Sequence, residues 1–180
     1  MKTSHLRVLG FSFMCLLTSA GWATESSFVV GQVAKFAAVT PNIYRGARPT
    51  AADLANLRSQ YQIRADINLE DSASAVAADQ SASSSLGISF LPTPLNPYAE
   101  PSDQDINGVL AELQDPRNFP VYVHCHYGED RTGLVIGLYR VLVQGMPAAQ
   151  AYQEMKSFGY HPGLKGLDNY FRQKTGYTGQ

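Results

Sequence analysis

Cysteine is nearly absent from this chain: the 180 residues contain two, Cys15 and Cys125. Charge of either sign is also short, with 14 lysines and arginines against 15 aspartates and glutamates. A formal charge of −1 excludes the long-range field a nucleic-acid coat uses to neutralise many phosphates, so no nucleic-acid partner is expected and only a local anion pocket remains open. No apolar run reaches the roughly 20 residues that cross a bilayer, the nearest being residues 8–17. What is present excludes a disordered polymer. Ten tyrosines and eight phenylalanines are spread through a chain only 16% charged, enough apolar surface to offset the entropy of ordering. The length fits one globular domain.

The first residues are expected to lie outside that domain. Lys2 and Arg7 precede the apolar stretch 8–17, and small residues follow at Thr18, Ser19, Ala20, Gly21 and Ala23. This is the pattern of a secretory signal peptide over residues 1–23, leaving a single domain at 24–180. Thr18 and Ala20 suit cleavage after Ala20; Gly21 and Ala23 suit cleavage after Ala23, which we prefer. An uncleaved membrane anchor and a lipoprotein are the alternatives, the first opposed by the short apolar run and the second by bulky Met14 before Cys15. The expected location is the periplasm or the exterior, as a monomer without membrane insertion once the signal is removed. Cleavage takes Lys2 and Arg7 but no acid from the 14 basic and 15 acidic residues, for a charge of −3, and leaves Cys125 as the only thiol. It cannot form an intramolecular disulfide. It is a reactive thiol, an intermolecular partner or a small buried hydrophobe, according to its surroundings.

Those surroundings read as strand, loop, helix. Residues 119–124 form a short buried strand, residues 125–130 hold Gly128 in a tight loop, and residues 131–144 begin an apolar helix. Such a turn aims successive backbone N–H groups and the positive end of a helix at one point, an anion site that needs no basic surface. The same field favours the thiolate form of a cysteine at its base. Arg131, six positions on, has the planar fork to hold two phosphate oxygens.

The string His124-Cys125-His126-Tyr127-Gly128-Glu129-Asp130-Arg131-Thr132-Gly133 resembles the H-C-x5-R-T-G signature of the cysteine-dependent protein tyrosine and dual-specificity phosphatase superfamily. Average composition would produce the pattern by chance on the order of once in 10⁴. Upstream, residues 42–49 (NIYRGARP) resemble the first strand and turn of the atypical plant- and fungal-type dual-specificity phosphatases, and residues 63–69 their next strand. Bacterial tyrosine and inositol phosphatases share the loop pattern. The resemblance implies a dual-specificity phosphatase-like α/β fold and a phosphocysteine intermediate formed without cofactor or metal. It gives Cys125 the role of nucleophile and makes Arg131 and the loop residues His126, Tyr127, Gly128, Glu129 and Asp130 the phosphate-binding set. It also implies that His124 orients the loop and that Thr132 donates its hydroxyl to the departing sulfur, although simple helix capping also accounts for Thr132.

A leaving alkoxide or phenoxide needs a proton. The resemblance implies two places for a general acid: Asp130, directly before the arginine as in myotubularin-like and certain bacterial phosphatases, and Asp103, on the loop before the helix that precedes the signature strand as in the plant and fungal enzymes. Asp105 and Glu100 are alternatives to Asp103, which also suits capping of a helix whose apolar side is Ile106, Val109, Leu110 and Leu113. Glu129 and Asp130 stand where plant and fungal members carry basic residues, and should oppose a dianion. His126, Arg45, Arg48 or Lys165 are candidates to compensate, with a salt-bridged structural role equally open to Arg45 and Arg48. His161, between Tyr160 and Pro162, reads as a turn residue.

The remaining chain predicts a mostly parallel central sheet flanked by helices, with strands at 63–69 and 88–91 and helices at 50–58, 71–85, 106–113, 132–144, 147–157 and 167–174. Thr50 and Asp53 have capping-box spacing. The Ala- and Ser-rich segment 71–85 predicts an exposed or mobile helix, and the proline-rich segment 92–101 an irregular connection beside the site. The substrate is either a phosphoprotein read by an aromatic wall (Tyr44, Tyr98, Tyr127, Tyr160) or an inositol phosphate or phosphoinositide read by cations. Rival readings are a catalytically silent phosphate-binding module, and a sulfurtransferase or arsenate-type reductase. Arg131 and Thr132 disfavour both, and the reductase also lacks its resolving cysteine.

Overall fold

The computed structural model describes residues 33–179, so the predicted signal peptide lies outside the described residues. Five strands form one sheet: β1 (Ala37–Thr40), β2 (Ile43–Ala47), β3 (Ala65–Asn68), β4 (Ser89–Pro92) and β5 (Val121–Cys125). Their spatial order is β1-β2-β5-β3-β4, with β1 antiparallel to β2 and every other pair parallel. The mostly parallel sheet read from the sequence is therefore present, extended by an antiparallel edge strand. Six α-helices surround it: α1 (Ala51–Tyr61), α2 (Ala73–Ser85), α3 (Asp103–Glu112), α4 (Asp130–Leu138), α5 (Ala148–Ser157) and α6 (Lys165–Thr175). Among the described residues no helix is long and apolar enough to cross a membrane.

The two faces of the sheet differ in chemistry because side chains alternate along each strand. Val121, Val123 and Cys125 of β5, with Ala65 and Ile67 of β3, enter the large apolar core shared with residues of α3, α4, α5 and α6. The intervening residues Tyr122, His124, Asp66 and Asn68 point to the opposite face. There Tyr122 joins Leu54 and Leu57 of α1 in a smaller core, while the polar side chains meet α2. Ser83 donates to Asp66 at 2.8 Å, Asn68 donates to Asp79 at 2.6 Å, and the His124 ring lies 2.9 Å from Asp79. Most of α2 is exposed, as its composition predicts; Asp79 and Ser83 are its buried residues, and hydrogen bonds attach it to the sheet.

Local signals set the other boundaries. Thr50 and Asp53 exchange both capping-box hydrogen bonds and start α1. Ser102 caps α3 through the Asp105 amide. The helix predicted over 132–144 is α-helical only to Leu138 and widens into a π turn over Tyr139–Val143. Within that turn Arg140 reaches Glu154 of α5 at 3.0 Å and the Val39 carbonyl at 3.0 Å, contacts that tie the turn to β1 and α5.

Candidate active site

The β5–α4 turn puts Cys125 at the carboxyl end of a central strand, where parallel sheets bind ligands. Cys125 is only 2% exposed, yet it lines a cavity of about 600 Å³ rather than facing solely into the core. Around it, no backbone N–H from His126 to Thr132 has an acceptor among the described residues. Seven consecutive donors at a helix N-terminus are an anion cradle. Gly128 makes that path possible. Its φ is +71°, and a Cβ there would stand 2.5 Å from the Gly46 carbonyl carbon and 2.6 Å from the Ala47 nitrogen.

Three arginines divide the work. Arg131 is buried with its Nη1 donating to Asp71 at 2.8 Å and to the Leu95 and Leu69 carbonyls at 3.2 and 3.4 Å. Its Nε and Nη2 make no hydrogen bond within the described residues, so one edge of the fork is available to the cavity. Arg45 is buried under the loop, donating to the Gly128 carbonyl at 2.7 Å and stacking on the Phe158 ring at 4.0 Å. Burial pulls its guanidinium down to about 10, against the attraction of Glu154 and of the Cys125 sulfur. That is a structural role, which settles the choice left open for Arg45. Arg48 lines the cavity but is already engaged, its Nε at 2.5 Å from Glu70 and its Nη2 on the second oxygen of the same carboxylate.

Of the predicted loop residues, His126, Tyr127, Glu129, Asp130 and Arg131 line the cavity. The two loop carboxylates, expected to repel a dianion, each have a counterpart: Glu129 pairs with Lys35 at 3.2 Å, and Asp130 accepts the His161 backbone N–H at 2.8 Å with the His161 Nδ1 at 3.1 Å. His161, read as a turn residue, sits in a turn whose ring also reaches the cavity. Nothing in its local sequence signals this. Asp103 is elsewhere: at the start of α3 it accepts from Tyr170 at 2.9 Å and from Lys174 at 2.8 Å, outside the residues that line the cavity. Those two donors hold its carboxyl below the usual range, the opposite of what an acid near neutral pH needs. Glu100, Asp105 and Lys165 are likewise not lining residues. The Thr132 hydroxyl is buried and makes no hydrogen bond within the described residues, so it does not cap the helix. Pro97 and Tyr98 bring the proline-rich segment to the rim.

His124 anchors the base of the loop from the far face. Its Nε2 lies 2.9 Å from Asp79 and 3.2 Å from Asp66, with all three side chains buried. Burial alone would lower the imidazole, but the two carboxylates overcome it and push it up to about 10, so the ring is an imidazolium. Burial raises the Asp66 carboxyl. Two groups, Asp66–Asp79–His124 and Glu129–Asp130–His161, bring three metal-ligating atoms within 4.8 Å of one another. In the first the imidazolium already serves as the cation, and in the second Lys35 and the His161 amide occupy the carboxylates.

Known proteins resemble this chain in sequence and in fold. The chain is 31% identical over 123 residues to the dual specificity protein phosphatase TpbA of Pseudomonas aeruginosa, a match covering 68% of this chain and 53% of that protein. It is 28% identical over 118 residues to the tyrosine-protein phosphatase-like protein OCA2 of Saccharomyces cerevisiae, covering 65% and 60%. The chain thus spans a little over half the length of the curated relatives it matches. The crystal structure of TpbA superposes with a TM-score of 0.66 at 27% identity, covering 78% of this chain and 84% of that one. The catalytic domain of the S. cerevisiae PP-IP phosphatase SIW14 shares the fold, with a TM-score of 0.69 at 19% identity and coverage of 78% and 88%. The model of the tyrosine phosphatase family matches residues 31–174, nearly all that the structure describes, and the chain belongs to that family.

Proposed function

We propose that this chain is a cysteine-dependent phosphatase that removes single phosphates from aryl esters, phosphotyrosine foremost. The observation that carries the reading is the placement of Cys125 at the base of a cavity, beneath seven acceptor-free amides and beside an Arg131 fork held in place by Asp71. The Cys125 thiolate attacks phosphorus in line while the amides and the guanidinium hold the equatorial oxygens. The P–O ester bond breaks, its electron pair passes to the leaving oxygen, and Asp130 supplies the proton. Water then attacks the phosphocysteine. The S–P bond breaks with its pair returning to sulfur, assisted by the Thr132 hydroxyl, and Asp130 takes the proton of the attacking water. The cycle requires no cofactor or metal.

Two features favour an aryl monophosphate over an inositol polyphosphate. Of the arginines and histidines lining the cavity, Arg48, Arg131 and His161 each already face a carboxylate within 3.1 Å, which leaves only the half-exposed His126 ring, 3.8 Å from Glu70, toward a second phosphate. The rim carries Tyr98 and Tyr127, 82% and 65% exposed, ready to face an aromatic ring. TpbA, a relative, has been crystallised with phosphotyrosine. Residues 1–23 support export, which would present the enzyme to phosphoesters outside the cytoplasm as a soluble monomer.

The test is hydrolysis of para-nitrophenyl phosphate, a phosphotyrosine peptide and inositol hexakisphosphate in the presence of chelator, by the wild type and by Cys125→Ser. The expected result is a higher kcat/KM for the peptide than for the inositol phosphate and no turnover by the variant. Turnover by Cys125→Ser overturns the mechanism, and preference for the inositol phosphate overturns the substrate class. Binding of phosphate without turnover would identify a silent phosphate-binding module instead.

A further inference from the structure

We propose that Asp130 and His161 work as one proton-transfer unit, with His161 positioning Asp130 and resupplying its proton. The inference rests on the reading above that Asp130 is the general acid, and goes beyond it by assigning a role to a residue 31 positions away in a different loop.

The geometry is specific. Asp130 is the first residue of α4, and its carboxylate is largely covered, with 16% of the side chain exposed. Its Oδ1 accepts the His161 main-chain N–H at 2.8 Å, which fixes the carboxylate, while the His161 Nδ1 lies 3.1 Å from Oδ1 and 3.3 Å from Oδ2. An ionised carboxylate only accepts hydrogen bonds, so Nδ1 is the protonated ring nitrogen facing it. The ring itself is 65% exposed, and its Nε2 makes no bond within the described residues. His161 thus touches the acid through one nitrogen and solvent through the other.

The contact lets the carboxylate relay a proton from the ring to the leaving group. As the ester bond breaks, Asp130 takes the Nδ1 proton and passes it to the leaving oxygen, so the carboxylate ends ionised as it began and the imidazole ends neutral. In the second step the attacking water gives a proton to Asp130, which returns one to Nδ1, and the pair is restored. Protons balance over the cycle. Other charged groups facing the pair are mutually compensated: Glu129 by Lys35, Arg131 by Asp71, and Arg48 by Glu70 across the cavity with His126 at 3.8 Å. The buried Tyr160 phenol and the Cys125 sulfur complete the surroundings.

The experiment compares kcat/KM for phenyl phosphate, whose leaving group needs a proton, with para-nitrophenyl phosphate, whose leaving group does not, across pH. The proteins are the wild type, His161→Asn, His161→Ala and Asp130→Asn, with thermal unfolding to confirm folding. His161→Asn, which keeps a side-chain donor but cannot be charged, should lose about 10–100-fold on phenyl phosphate and under about threefold on the nitrophenyl ester. Its basic limb should move to lower pH, and added imidazole should restore part of the rate of His161→Ala. Equal losses on both esters, or an unshifted profile in His161→Asn, overturn the pair. If Asp130→Asn alone becomes leaving-group dependent, the pair fails while the Cys125 chemistry stands. If Asp130→Asn does not, the acid assignment falls with it.

Discussion

Replacing Gly128 with alanine separates a loop that merely follows β5 from one held at a working distance by β2. A Cβ at this position meets backbone, not a yielding side chain: 2.5 Å to the Gly46 carbonyl carbon and 2.6 Å to the Ala47 nitrogen. Carbon atoms settle at about 3.5–4.0 Å, so the loop must retreat by about 1 Å. That is the scale at which misplacement of a reacting group costs about 100-fold in rate, or about 2.7 kcal/mol of barrier. The shift also lengthens the 2.7 Å bond from Arg45 to the Gly128 carbonyl. Backbone strain alone is controlled by Gly87→Ala, where φ is +65° but nothing lies within 4 Å of the added methyl. Both variants should lose about 1–2 kcal/mol of stability from the left-handed conformation. Only Gly128→Ala should lose the rate, measured as kcat on para-nitrophenyl phosphate beside a urea titration. Wild-type turnover in Gly128→Ala, or an equal loss in Gly87→Ala, refutes the reasoning.

Asp79→Ala leaves the His124 imidazolium and the Asn68 amide short of their acceptor inside the protein, and should cost about 3–5 kcal/mol in urea unfolding. The same network sets a pH trend. The folded His124 value of about 10 lies above its ordinary 6.5, so the stabilisation is complete below about pH 6.5 and is lost as pH rises toward 10; the raised Asp66 carboxyl acts in the same direction. The urea midpoint should fall between pH 7 and 10, with a shallower slope in Asp79→Asn; identical slopes would show that Asp79 does not hold the proton. Glu70→Gln releases Arg48, and should raise kcat/KM for inositol hexakisphosphate relative to a phosphotyrosine peptide by about tenfold, from one added charge-assisted contact. Asp103→Asn should keep the basic limb of the pH–rate profile and its rate within about twofold, since its partners are Tyr170 and Lys174; a lost limb would return the acid to the α3 loop.

The site was legible where chemistry is carried by neighbours in sequence. The strand, loop and helix around Cys125, the fork at Arg131 and the tight turn at Gly128 are spaced by a few residues, and their geometry follows from local rules. Asp71, Glu70, Lys35 and His161 were not legible, because each meets its partner across 22 to about 94 residues and bears no local pattern. Asp103 illustrates the converse: a loop position before the helix would suit an acid, but Asp103 opens α3 itself, and Lys174, 71 residues on, takes the carboxylate. A usable signal was present in β3 and β5. Asp66 and Asn68 alternate with Ala65 and Ile67, and His124 alternates with Val123 and Cys125, so one sheet face had to meet polar partners. Asp79 and Ser83 of α2 supply them.

That attachment has a cost in local cohesion. A helix held by a handful of hydrogen bonds, which water can replace, opens more readily than one seated on aliphatic side chains, so α2 belongs to the low end of the opening free energies. Asp71 and Ser72 lead directly into it, and Asp71 is the carboxylate that steadies Arg131. Fraying of α2 would therefore free the guanidinium while the apolar side of the sheet remained intact. Amides of α2 should exchange with deuterium sooner than those of α4, and mild urea should silence phosphate binding ahead of global unfolding.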